Sequence, residues 1–208
     1  MAVFGLTGNI GSGKSTVGKL LAAAGFLHID ADFVGRIVVE PGRPANAELR
    51  REFGAEFFDE AGHLRRKKLG AYVFARPERL RRLNEITHPA IREEILARIA
   101  AGKSQNPLRH IVVEAALLLE TGMDSLVDRV LLVTAADEIR LKRVMARDGL
   151  EPRLIRDRMA RQMRQEEKEK FADYHIVNDG TLSELKTQVA AFLSSLEAEI
   201  SEIPKKDG

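Results

Sequence analysis

Residues 4–16 read FGLTGNIGSGKST: an apolar run, then four glycines within ten positions, one lysine and two hydroxyls. Gly8, Gly11, Ser12, Gly13, Lys14 and Ser15 fall into the pattern G-x-x-x-x-G-K-[ST]. Each residue type has a physical reason. Glycines let successive N–H groups turn inward into an anion-binding nest, and a helix starting near Gly13 adds its positive end. Lys14 is placed to reach β- and γ-phosphates, the Ser15 hydroxyl to ligate Mg²⁺, and Thr16 to approach the α-phosphate side. A glycine turn that binds nothing would share the pattern by chance. Here an apolar strand precedes the loop and STVGKLLAAAG follows as a helix, the context a nucleotide cradle requires.

Outward from this loop, short β-branched runs recur at VFGLT (3–7), FLHI (26–29), HIVVEA (110–115), RVLLVT (129–134) and YHIVN (174–178). Helix-period segments separate them, which predicts an α/β fold with a doubly wound, mainly parallel five-stranded sheet. Leu182, Leu185, Val189, Phe192, Leu193 and Leu196 predict the buried face of a last helix. The alternation breaks twice. Residues 33–107 read as several helices with turn signals at EPGRP, DEAGH and ARPE, and 137–170 read as an arginine-rich helical lid. The expectation is one domain: a core of 1–32, 108–136 and 172–200, a helical insertion at 33–107 and a lid at 137–170. The closing EIPKKDG reads as a solvated tail.

Composition narrows the function. The chain has 208 residues, 31% charged, a net charge of +2, no Cys, no Trp and two Tyr. Neither a bulk basic field nor an aromatic platform points to nucleic acid, and no apolar run approaches a membrane span. Without Cys there are no disulfides or thiolate metal sites, and no leader is evident, so a cytoplasmic protein acting on small molecules is expected.

A phosphate loop specifies a nucleotide, not a reaction. The chain contains no Asn-Lys pair, so the Asn-Lys-x-Asp base-reading motif of a GTPase is missing. A small kinase is left, and such an enzyme needs an acceptor site and a means of excluding water. HIDADFVGR (28–36) places Asp30 and Asp32 at a strand's carboxyl end, where ligands sit in open α/β sheets. One carboxylate there can take an acceptor's hydroxyl proton, and either can instead cap the helix that begins near Phe33. Arg140, Arg143 and Arg147 recur at helical spacing, and a triphosphate between them would relieve their repulsion. Pairing with Glu138, Asp148 or Glu151 is the alternative. A kinase for another small metabolite and a non-catalytic nucleotide sensor are the competing readings.

Taken together, the chain resembles the dephospho-coenzyme A kinase family along nearly its whole length. The resemblance rests on LTGNIGSGKST (6–16), IDADFVGRIVVEPG (29–42), FGAEFFDEAGHLRRKKLGAYVF (53–74) and THPAIREE (87–94). It continues through LLLE (117–120), RLKRVMARD (140–148), RQMRQEEK (161–168) and ADYHIVNDG (172–180). It implies ATP-dependent phosphorylation, with Mg²⁺, of the ribose 3′-hydroxyl of dephospho-CoA, by a monomer or weak homo-oligomer. It also implies that Asp32 is the general base and that Arg36 and His88 contact the acceptor within a CoA-binding insertion. Arg143 and Arg147 fall on the lid arginines, and Asn178 on the loop approaching adenine. Ala116 stands where the family usually has proline, and Arg164 where proline or a small residue is common. Read without the family, a His before Pro such as His88 would be a helix-capping or packing residue.

Overall fold

The computed structural model describes residues 1–201; EIPKKDG lies outside the described residues. Two compact units are present. The first comprises Met1–His28 and the chain from Leu108 onward, and the second Ile29–Pro107.

The strands are β1 (Val3–Thr7), β2 (Leu27–Asp30), β3 (Ile111–Glu114), β4 (Arg129–Thr134) and β5 (Tyr174–Val177), in the spatial order β2-β3-β1-β4-β5. β1 runs parallel to both β3 and β4, and β4 parallel to β5. Every residue of β1 and β3 is buried, as strands covered on both faces require. The five runs seen in the sequence are thus the five strands, with ends displaced by at most one residue.

In the first unit, helix α1 (Lys14–Ala23) follows β1 directly. Its Val17 and Leu21 join Phe4, Leu6, Val112, Leu131 and Ile176 in a core closed by the last helix, α9 (Leu182–Ser201). α9 contributes Leu185, Val189, Phe192 and Leu196, with Leu193 packed at the margin. Leu182 is a correction to the expected stripe: it is 56% exposed, because it stands at the first position of the helix. Phe4 is the centre of this core, with the rings of Phe26, His110, Tyr174 and Phe192 at 5.6–6.2 Å.

The arginine-rich segment belongs to the same unit as helices α6 (Asp137–Asp148), α7 (Pro152–Met159) and α8 (Gln165–Glu169). Leu141, Val144 and Ile155 bury one another there, with Ile10 and Met159 packed against them.

The second unit is helical: α2 (Ala31–Ile37), α3 (Pro44–Phe53), α4 (Arg66–Phe74) and α5 (Pro77–Gln105). The DEAGH turn joins a single antiparallel bridge between Phe58 and Leu64. Buried Asn46 fastens two loop carbonyls, Val39 at 2.8 Å and Gly62 at 3.0 Å. Proline commonly breaks a helix, because it removes one N–H and crowds the preceding turn. Pro89 nevertheless lies inside the 29-residue α5, whose Ile86, Ile95 and Ile99 are buried on either side of it. His88 is therefore a mid-helix residue and caps nothing.

Candidate active site

The phosphate loop leaves the carboxyl end of the central strand, and its glycines are required by geometry at two kinds of position. Gly11 and Gly13 have φ of 81° and 95°, values that favour glycine. At Gly8 an added Cβ would collide with the carbonyl of Val133, and at Gly13 with the side-chain amide of Asn178. Gly13 is the N-cap of α1 and brings no side-chain acceptor to the helix's first N–H groups. Those donors face an incoming anion instead.

Neighbouring elements hold the loop. Asn178, buried just past β5, donates from Nδ2 to the Ser12 carbonyl over 2.8 Å. The Ile10 N–H donates to Gln162 Oε1 at 2.8 Å, and Asn9 Nδ2 donates to the Met163 carbonyl at 3.0 Å. The RQMRQ segment is therefore a strap across the loop's outer side.

Ser15, the expected metal ligand, donates from its hydroxyl to Glu114 Oε1 at 2.5 Å. Glu114 ends β3 and is buried, and its other oxygen accepts from His28 Nε2 at 2.9 Å. Burial alone would raise the pKa of this carboxyl. The hydrogen bonds from His28 and Ser15, with the nearby charge of Lys14, outweigh burial and hold it below the ordinary 4.5. A hydroxyl and a carboxylate are the hard oxygen groups Mg²⁺ takes when phosphates and water complete its shell. Among the described residues there is no cluster of three or more His, Cys, Asp or Glu that could hold a metal.

The three arginines of α6 behave differently from one another. Arg140 is only 4% exposed; it pairs with Asp137 and points a second nitrogen at the Ile10 carbonyl 3.5 Å away. Arg143 donates to the Asn178 carbonyl at 2.8 Å and, at 3.4 Å, to the Gly180 carbonyl. Arg147 is exposed and makes a two-pronged pair with Asp148 at 2.7 and 2.9 Å.

In the second unit, Asp30 is the N-cap of α2, accepting the Phe33 N–H at 3.0 Å. Asp32 and Arg36 are exposed on the same short helix. Arg66 donates to the Gly35 carbonyl at 2.7 Å. Burial, then the neighbouring Arg36 charge, lowers the pKa of Arg66, so this unit carries two adjacent cations. His88 is half-buried and lines a groove along α5 with Leu80, Arg81 and Asn84. Burial lowers its pKa, which favours the neutral ring.

Sequence reasoning missed Glu114, His28 and Arg66. An acidic residue closing an apolar strand signals the first. The other two carry no local signal, since one sits in a strand and the other in a run of cations.

The sheet order, with its phosphate loop at the end of the central strand, defines a P-loop nucleotide-binding protein. The Dephospho-CoA kinase family model matches residues 2–184. A dephospho-CoA kinase of Syntrophotalea carbinolica is 43% identical over 196 residues, covering 94% of this chain and 92% of the relative. A solved structure from Thermus thermophilus superposes with a TM-score of 0.80 at 36% identity, over 93% of this chain and 97% of the other. A dephospho-CoA kinase from Campylobacter jejuni gives 0.72 at 27%, over 95% and 98%. The chain belongs to the dephospho-CoA kinase family, and it is a kinase.

Proposed function

We propose that the protein transfers the γ-phosphoryl group of ATP to the ribose 3′-hydroxyl of dephospho-CoA, releasing ADP and coenzyme A. The observation that carries this reading is family membership over nearly the whole chain, joined to a phosphate loop whose Ser15 hydroxyl meets a buried carboxylate.

In this reading the amides of Gly11, Ser12, Gly13, Lys14, Ser15 and Thr16 surround the phosphates, and the Lys14 ammonium neutralises the γ-phosphoryl oxygens. Asp32 accepts the proton of the 3′-hydroxyl as its oxygen bonds to the γ-phosphorus and the bond to the ADP oxygen breaks. Ser15, backed by Glu114, would hold Mg²⁺, which would supply neutralisation of the phosphate charge. Arg147 releases Asp148 to meet the triphosphate, while Arg143 sets the loop after β5, from which Asn178 shapes the adenine side. Arg36 and His88 contact the acceptor. The modest net charge agrees with a cytoplasmic enzyme of small substrates, a monomer or weak homo-oligomer that binds no nucleic acid. No helix among the described residues is long and apolar enough to cross a membrane.

The test is ADP release with dephospho-CoA against AMP, gluconate and other acceptors, with the product examined for a 3′-phosphate. Asp32→Asn should lower kcat by about 10²-fold or more while leaving the Kd for ATP nearly unchanged. Transfer to another acceptor would overturn the substrate, and unchanged turnover in the variant would remove Asp32 as the base.

A further inference from the structure

The cluster behind Ser15 extends one residue beyond the phosphate site. Glu114 presents one oxygen to the Ser15 hydroxyl and the other to His28 Nε2, at 2.5 and 2.9 Å. A carboxylate can only accept, so Nε2 carries the proton and the imidazole is the donor. The Glu114 side chain is 7% exposed and that of His28 22%, so neither is free to swing as a surface pair would.

Helix α1 makes room for this contact. Gly18 lies in the middle of the helix and is buried. Glycine there is a poorer helix former than alanine. An added Cβ would lie 2.9 Å from both Glu114 Oε2 and His28 Nε2, so even the smallest side chain would displace the pair. The backbone gives no other reason for glycine at this position, because Gly18 is not among the residues with positive φ.

We infer that His28 is a positioning residue for phosphoryl transfer, holding Glu114 so that its other oxygen is fixed on the Ser15 hydroxyl, and that Gly18 is the space this requires. The inference rests on Ser15 serving the nucleotide's Mg²⁺. Histidine at position 28 acts through Glu114 and touches neither substrate nor metal. Without it, Glu114 can rotate towards Ser15 or Lys14 and hold the hydroxyl in a geometry unsuited to the ion.

The test compares nucleotide binding with and without metal. Calorimetry gives the ratio of the Kd for ATP in EDTA to that in Mg²⁺ for the wild-type protein, His28→Val, His28→Gln, Gly18→Ala and the double variant Gly18→Ala/His28→Val. Losing a group that orients a metal-site residue typically costs about 10–100-fold in metal affinity or activity. His28→Val and Gly18→Ala should therefore each shrink the ratio by about tenfold, and raise the Mg²⁺ concentration at half-maximal turnover alike. KM for dephospho-CoA should stay within about twofold, since neither residue meets that substrate. His28→Gln, which keeps a donor, should recover part of the ratio. The double variant should be no worse than His28→Val, because without the imidazole Glu114 is no longer held against the Cβ and can move into the space left by the ring. Should His28→Val not fold, Gly18→Ala carries the same comparison. A lowered Tm with an unchanged ratio in both single variants would overturn the inference and leave the contact structural; strict additivity in the double variant would overturn the role of Gly18. A wild-type protein that binds Mg·ATP but phosphorylates only another acceptor would sink the substrate reading alone, and the ratio would still decide His28.

Discussion

Asn178 reaches from the end of β5 to the carbonyl of Ser12, 2.8 Å away, so the phosphate loop is held by a residue 166 positions later in the chain. The same residue's carbonyl receives Arg143. One buried residue, through its side chain and its backbone, thus couples the loop, the sheet and the arginine helix.

Replacing Asn178 with alanine removes the donor and leaves a buried carbonyl unsatisfied, a cost of about 1–3 kcal/mol. For a domain of this size each kcal/mol shifts Tm by about 2–4 °C. Thermal denaturation should show that fall, and ATP binding should weaken with it. An unchanged Tm would mean that the loop holds its own shape.

Arg143 and Arg147 should separate in a paired experiment. Arg147→Ala breaks only an exposed pair with Asp148, worth little to stability. Turnover should fall about 10²-fold, as for other removals of a charge that stabilises transfer, at nearly constant Tm. Arg143→Ala should lower both, because its donors satisfy the Asn178 and Gly180 carbonyls. Equal Tm losses in the two variants would contradict this division.

Lys168 is fully buried and pairs with Glu120 at 2.9 Å while donating to the Ala116 carbonyl at 3.0 Å. Burial lowers its pKa against the opposing pull of Glu120. Lys168→Met removes the donor to the Ala116 carbonyl and leaves a partly solvated Glu120 that still accepts the Met163 N–H. The change should cost about 1–3 kcal/mol, or about 2–12 °C in Tm. Glu120→Leu added to it should cost less than the sum of the two single changes, whereas additive losses would show that the two residues are not coupled.

His110 lies against Phe26, ring centres 5.1 Å apart, and its Nδ1 accepts the Ala2 N–H. Burial holds its pKa below 6.5, so the unfolded chain takes up the proton first as pH falls. The stability this residue contributes is whole above the unfolded value and is lost as pH drops from there towards the lower folded value. Between about pH 7.5 and about pH 5.5, Tm of the wild-type protein should decline more steeply than that of His110→Phe. Parallel curves would exclude His110 from the acid limb.

Much of this protein is decided within short windows of sequence. G-x-x-x-x-G-K-S after an apolar strand requires a turn with inward N–H groups, and β-branched runs separated by helical periods require a parallel sheet. Both follow from backbone sterics and the burial of one face, which neighbours in sequence determine. Asp30 as a cap is equally local, since the N–H it accepts lies three residues on. The meeting of Ser15 with Glu114, and of Glu114 with His28, spans 99 and 86 residues, and only the arrangement of strand ends around β1 brings them together. The same holds for Pro89: a local rule would end the helix, yet the buried isoleucines on both sides of it stabilise one continuous α5. Local pattern determined the elements and the cradle. Tertiary packing decided which carboxylate stands behind the Ser15 hydroxyl and which glycine makes room for it, because long-range contacts leave no periodic trace in the chain.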